Sequence, residues 1–127
     1  MKVLVLGGCG IQGKAALFDL SKREWVSTIV VADLFPDRIR GLTYVDQSKT
    51  RLEKIDVNNQ EALVSLMNQG FDVVLDFLPP HFVKSVTEAA IRSGVNLINT
   101  NYAYQIHSLQ DKVPKFVAGK ALKKAVK

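Results

Sequence analysis

The chain has 127 residues, enough for one domain with a real core and too few for a cofactor domain joined to a full substrate domain. Its formal charge of +5 sits at the end: residues 1–111 carry 11 Lys and Arg against 12 Asp and Glu, a balance of −1, and residues 112–127 carry six lysines and no acid. The body therefore lacks the basic stripe of a nucleic-acid binder, and no apolar run approaches the length of a membrane span.

The first element is KVLVL, a leucine-rich and β-branched run of the length expected for a strand buried on both faces. It leads into GGCGIQG, with four glycines in the seven residues from Gly7 to Gly13. KAALFDLSKR follows, with Ala15, Ala16, Leu17, Phe18 and Leu20 spaced for a partly buried helix. A strand-to-helix turn of bare backbone can present N–H groups and the positive end of a helix to a pyrophosphate.

Gly8, Gly10 and Gly13 fit G-x-G-x-x-G, in which the first glycine makes the tight turn, the second admits the phosphates and the third lets helix approach strand. Gly7, Gly10 and Gly13 fit G-x-x-G-x-x-G equally, so either Gly7 or Gly8 makes the first turn. Cys9, the single cysteine, has no partner for an internal disulfide, which agrees with a reducing, cytoplasmic compartment. It reads as a small spacer, although a helix N-terminus can lower a thiol pKa.

TIVVAD, residues 28–33, reads as a second buried strand ending in a carboxylate at the spacing where dinucleotide folds bind the adenosine ribose. A carboxylate accepts two hydrogen bonds from a vicinal diol and repels a 2′-phosphate, so Asp33 favours NAD over NADP. Arg38 and Arg40 lie close enough in sequence to pair with such a phosphate, but a solvated face is their simpler reading.

RLEKIDV is expected as a third strand over residues 51–57, with Asn58 or Asn59 capping a helix through Met67 that Gly70 stops. FDVVLDFL is a fourth strand, ended by Pro79 and Pro80; HFVKSVTEAAIRSG is an amphipathic helix closed by Gly94; VNLINT is a fifth strand. This alternation predicts an α/β Rossmann-type doubly wound parallel sheet with helices on both faces over residues 1–111. Residues 112–127 form a lysine-rich tail with Val117, Ala121, Leu122, Ala125 and Val126 on one side of a short helix, expected to dock on the domain itself.

In such a sheet the ligand lies beyond the carboxyl ends of the strands. Those ends are Gly8 to Gly13, Asp33, Asp56 with Val57, Phe77 to Pro80, and Asn99 to Asn101. Asp56 reads as an adenine ligand with Val57 packed on the ring, or equally as a turn acid before Asn58. Leu78 and Pro79 border the nicotinamide end, where paired prolines stiffen the backbone. His81 is the one tempting acid or base near that mouth, with an exposed helix cap as its simpler reading, and the isolated His107 carries no case for a metal or catalytic role.

Together GGCGIQGKAALFDL, VVADLFPDR, KIDVNN and DVVLDFLPPHFVKSVTEAAIRSGVNLINTNY resemble the N-terminal cofactor domain of saccharopine dehydrogenase-like oxidoreductases, from about Met1 to Tyr104. The resemblance implies an NAD(P)-dependent hydride transfer at an amino-acid-derived amine or imine, and a homodimer in many members. It assigns Gly8, Gly10, Ile11 and Gln12 to the pyrophosphate, Asp33 to the ribose, Asp56 and Val57 to the adenine, and Leu78 with Pro79 to the nicotinamide side. The family's large substrate domain has no counterpart after about His107, so the chain is expected to bind dinucleotide but to be truncated and weak or inactive alone, or to work with a separate substrate-domain chain. A stand-alone dinucleotide-sensing domain of the potassium-transport type is the alternative. A short-chain dehydrogenase ranks last, because none of Tyr44, Tyr102 and Tyr104 has lysine four residues on.

Overall fold

The computed structural model describes residues 1–100. The expectations for Asn101, Tyr102, Tyr104, His107 and the tail lie outside these residues. Five parallel strands, β1 (Lys2–Leu6), β2 (Thr28–Asp33), β3 (Thr50–Lys54), β4 (Val73–Asp76) and β5 (Leu97–Asn99), form one sheet in the order β3-β2-β1-β4-β5. Helices α1 (Ile11–Ser21), α2 (Gln60–Met67) and α3 (Val83–Ser93) connect them, with short 3₁₀ turns at Pro36–Ile39 and Pro80–Phe82.

The strand side chains alternate between two cores, as the two-residue period requires. Leu4, Leu6, Val30, Ala32 and Val74 face Leu63, Leu66 and Met67 of α2 and Val86, Ala89 and Ala90 of α3. Val3, Val5, Ile29 and Val31 point the other way, onto Leu17 and Leu20 of α1 and onto Ile39 and Val45. Both faces of the central strands are dry, which is why these strands read as unbroken apolar runs.

The second strand has the bounds expected of it, but the third does not. β3 stops at Lys54, and Asp56 belongs to a turn in which its carboxylate accepts the Asn58 N–H at 3.0 Å and its carbonyl the Asn59 N–H at 2.9 Å. The turn reading of Asp56 therefore prevails locally. Asn59 caps α2, its side chain accepting the Ala62 N–H at 3.1 Å. Asn59→Ala is expected to cost about 1 kcal/mol, read as a lower urea midpoint at unchanged slope. At the other end Gly70 adopts a φ of +87°, and Gly94 closes α3 at +74°.

Candidate functional site

Order reverses between β1 and β4: the chain runs outward to β3, then crosses to β4 on the far side of β1. The crevice at this switch point is a cleft of about 620 Å³. It lies where the carboxyl ends of open parallel sheets bind ligands.

The glycine turn forms its floor. Gly7, at φ +73°, makes the turn, and its N–H donates to the Ala32 carbonyl at 3.1 Å. A Cβ on Gly7 would stand 3.0 Å from the Phe77 carbonyl carbon and 3.1 Å from the Leu78 nitrogen, so the main chains of the two segments touch. Gly8 is there for packing, because its Cβ would lie 2.5 Å from Cγ1 of Val31, within the core. Gly7 therefore makes the turn, and the open choice between Gly7 and Gly8 falls to Gly7.

Gly10 caps α1 in an extended conformation with no side-chain capping bond and no acidic residue in the first turn. The leading N–H groups of a helix have no acceptor within it, so this end is electropositive. At Gly10 a Cβ would meet only the Gly7 carbonyl, at 3.6 Å, an ordinary contact, and φ is −77°. Neither packing nor dihedral demands glycine here.

Asp33 ends β2 with both oxygens engaged, one accepting the Cys9 N–H at 3.3 Å and the other the Phe35 N–H at 3.1 Å. This ties the acid to the glycine turn. The Cys9 thiol donates to the Phe35 carbonyl at 3.2 Å. Burial, then the nearby Asp33 charge, push its pKa up to about 11, so the thiol stays protonated and the lowering expected of a helix N-terminus does not prevail. Arg40 is paired with Asp37 at 2.7 Å, and Arg38 lies over the Phe35 ring at 4.9 Å.

Of the expected residues, Gly7, Gly10, Gln12, Asp33, Asp56, Val57, Leu78 and Pro79 line the cleft. Gly8 and Ile11 do not: Gly8 is buried and the Ile11 side chain is 91% exposed. Thr100 reaches across to Gln12 at 3.5 Å, linking the end of β5 to α1. His81 is exposed, its ring against Phe82.

Leu34, Ile55, Asn58 and Phe82 also line the cleft, and the strand pattern alone did not single them out. Asp76, behind the wall, was missed as well. It is 1% exposed; one oxygen accepts the Leu78 N–H at 2.9 Å, and the other is buried without a partner among the described residues. Burial pushes its carboxyl up to about 6, with the Leu78 bond opposing. A lone acid inside the apolar run VVLDFL was the available signal.

A model of the saccharopine dehydrogenase NADP binding domain matches residues 3–125, continuing past Tyr104, where the resemblance was expected to end. Among solved structures the chain is similar to a saccharopine dehydrogenase (L-Glu forming) from Saccharomyces cerevisiae, with a TM-score of 0.68 and 23% identity over 80% of this chain. It spans only 22% of that protein's length. It is also similar to a Rossmann-fold NAD(P)-binding family protein from Shigella flexneri, with a TM-score of 0.63, 24% identity and coverage of 76% of this chain and 49% of that one. A short-chain dehydrogenase/reductase from Veillonella parvula in complex with NADP has a TM-score of 0.62 at 16% identity, over 77% of this chain and 46% of that one. At such identities these likenesses concern the fold. Comparison with curated proteins gives no match.

Proposed function

Because the chain belongs to the saccharopine dehydrogenase NADP binding domain family, we propose that its cleft holds a nicotinamide dinucleotide across the switch point of the sheet. The pyrophosphate rests on the Gly7–Gly10 turn and the first turn of α1, where Gln12 faces the cleft. Asp33 takes the adenosine ribose, Asp56 and Val57 border the adenine, and Leu78 and Pro79 the nicotinamide. Gly8 and Ile11, away from the cleft wall, contribute to shaping the turn rather than through their own side chains.

The observation that carries this reading is Gly10. A residue that could carry a side chain without strain, yet has none, leaves bare main chain facing the cleft at the positive end of a helix. Such bareness makes physical sense where a ligand must approach closely.

NAD is the preferred cofactor. Asp33 and Asp56 line the wall, whereas no Lys or Arg does among the described residues. A 2′-phosphate would meet negative charge, and Arg38 and Arg40 are engaged with Phe35 and Asp37. The family supports hydride transfer at an amino-acid-derived amine or imine, with substrate held by residues outside this cleft. The protonated lone cysteine fits a cytoplasmic setting.

Calorimetric titration with NAD and NADP tests this. Saturable one-to-one binding is expected, with NAD tighter, and Asp33→Ala weakening NAD roughly tenfold or more by removing two charge-assisted bonds to the diol. Gly10→Val, which keeps an allowed φ but fills the phosphate approach, should abolish it. Failure of both dinucleotides to bind at millimolar concentration would overturn the reading.

A further inference from the structure

Asp76 terminates β4 between Leu6 of β1 and Asn99 of β5 in the strand register. Its side chain is enclosed, one oxygen holds the Leu78 N–H, and the other has no partner among the described residues. Leu78 lines the cleft, and the main chain at Phe77 and Leu78 packs against Gly7. The carboxylate therefore stands immediately behind the wall assigned above to the nicotinamide.

Among the described residues nothing nearby neutralises it. The flanking strand residues, Leu6 and Asn99, are uncharged, α1 brings Gln12 to the cleft, α3 presents Val83 and Val86 to the core, and His81 of the following turn is exposed. Among the described residues, burial and the Leu78 bond alone bear on its titration. A charge enclosed in low dielectric and without a counter-ion acts over several ångströms.

The two redox forms of a nicotinamide differ in just this respect: the oxidised ring carries a positive charge and the reduced ring is neutral. We propose that Asp76 is a specificity-determining residue that makes the cleft prefer the oxidised dinucleotide when its carboxylate is ionised and lose that preference when it is protonated. This rests on the dinucleotide reading of the cleft. By linkage, the oxidised ligand must in turn lower the pKa of Asp76. With the carboxyl poised at about 6, the change falls between pH 5 and pH 8.

The test is titration of the full chain with NAD⁺ and NADH at pH 5 and pH 8, in the wild type and in Asp76→Asn. The ratio of reduced to oxidised Kd should rise roughly three- to tenfold between the two pH values in the wild type, the size set by a half to one unit of linked pKa change. It should stay flat in Asp76→Asn. Asp33, Asp56 and His81 are present in both proteins, so a pH dependence that survives the substitution belongs to another group and overturns the proposal. A wild-type ratio that does not move, with both ligands bound, overturns it as well. Absence of any binding overturns the dinucleotide reading and this inference with it. Should Asp76→Asn fail to fold, a carboxyl ¹³C titration of the wild type decides: NAD⁺ must lower the Asp76 pKa and NADH must not.

Discussion

Gly13→Ala is expected to destabilise the domain by about 3 kcal/mol, measured as the loss of unfolding free energy in urea. A Cβ at Gly13 would lie 2.5 Å from the Gly7 carbonyl oxygen, 2.5 Å from the Gly8 Cα and 2.8 Å from the Gly8 carbonyl carbon. All three are main-chain atoms of the turn. A flexible side chain could move aside, whereas this turn is fixed by the positive φ of Gly7, by its bond to Ala32 and by its contact with Phe77 and Leu78. Alanine would gain up to about 1 kcal/mol of helix propensity over glycine within α1, which the overlap exceeds. The substitution can be relieved only by lifting α1 off β1, which would also open the floor of the cleft. Gly10→Ala is the matched control: its Cβ makes a normal contact, so stability should change by less than about 1 kcal/mol.

The second large effect concerns Asp76 and has an unusual sign for an acid. In the folded protein its carboxyl titrates at about 6 against an ordinary 3.8, so the folded state holds the proton more tightly than the unfolded chain. Stability contributed by the neutral acid is present below the unfolded value and is lost as pH rises from about 4 through about 6. At 1.36 kcal/mol for each pH unit the total is about 3 kcal/mol. Asp76→Asn should flatten this part of the stability profile. It keeps an oxygen for the Leu78 N–H and removes the buried charge, so at pH 8 the variant is expected to be more stable by about 1 to 2 kcal/mol, after allowing for an amide N–H left without an acceptor. Thermal unfolding followed between pH 4 and pH 8 checks both points. A wild-type profile that is level or rising over pH 4–6 would show that the carboxylate is solvated or paired in solution. A buried acid that works against the fold at neutral pH is reasonable where its charge acts on a ligand, as proposed for the oxidised dinucleotide.

How much could be read in advance varied from element to element. TIVVAD revealed itself completely, because a strand covered on both faces has to be apolar throughout and its closing acid breaks that pattern at the strand's carboxyl end. Asn59 was legible as one of two caps, since a side-chain oxygen before an apolar-periodic run satisfies a local N–H. RLEKIDV was read too long: β3 lies at the edge of the sheet, where pairing on one side alone lets the chain leave early into the Asp56 turn. Cys9 was placed in the right loop, but its chemistry was open until the distance to Asp33 was known.

The sequence by itself determined the alternation of strands and helices, the glycine spacing and the acid at the end of the second strand. Each is written in local periodicity and in residue types with few conformational alternatives. Only the tertiary structure decided that Gly7 rather than Gly8 turns the chain, because that depends on Phe77 and Leu78 lying against Gly7 and Val31 against Gly8. It also decided that Asp76 is enclosed while Asp56 is exposed. Both follow a strand-like run in the sequence, but β4 lies between β1 and β5 and beneath α3, whereas the chain has already left β3 before Asp56. Burial and charge state are set by what other segments bring to a residue, and neighbours in the chain do not encode that.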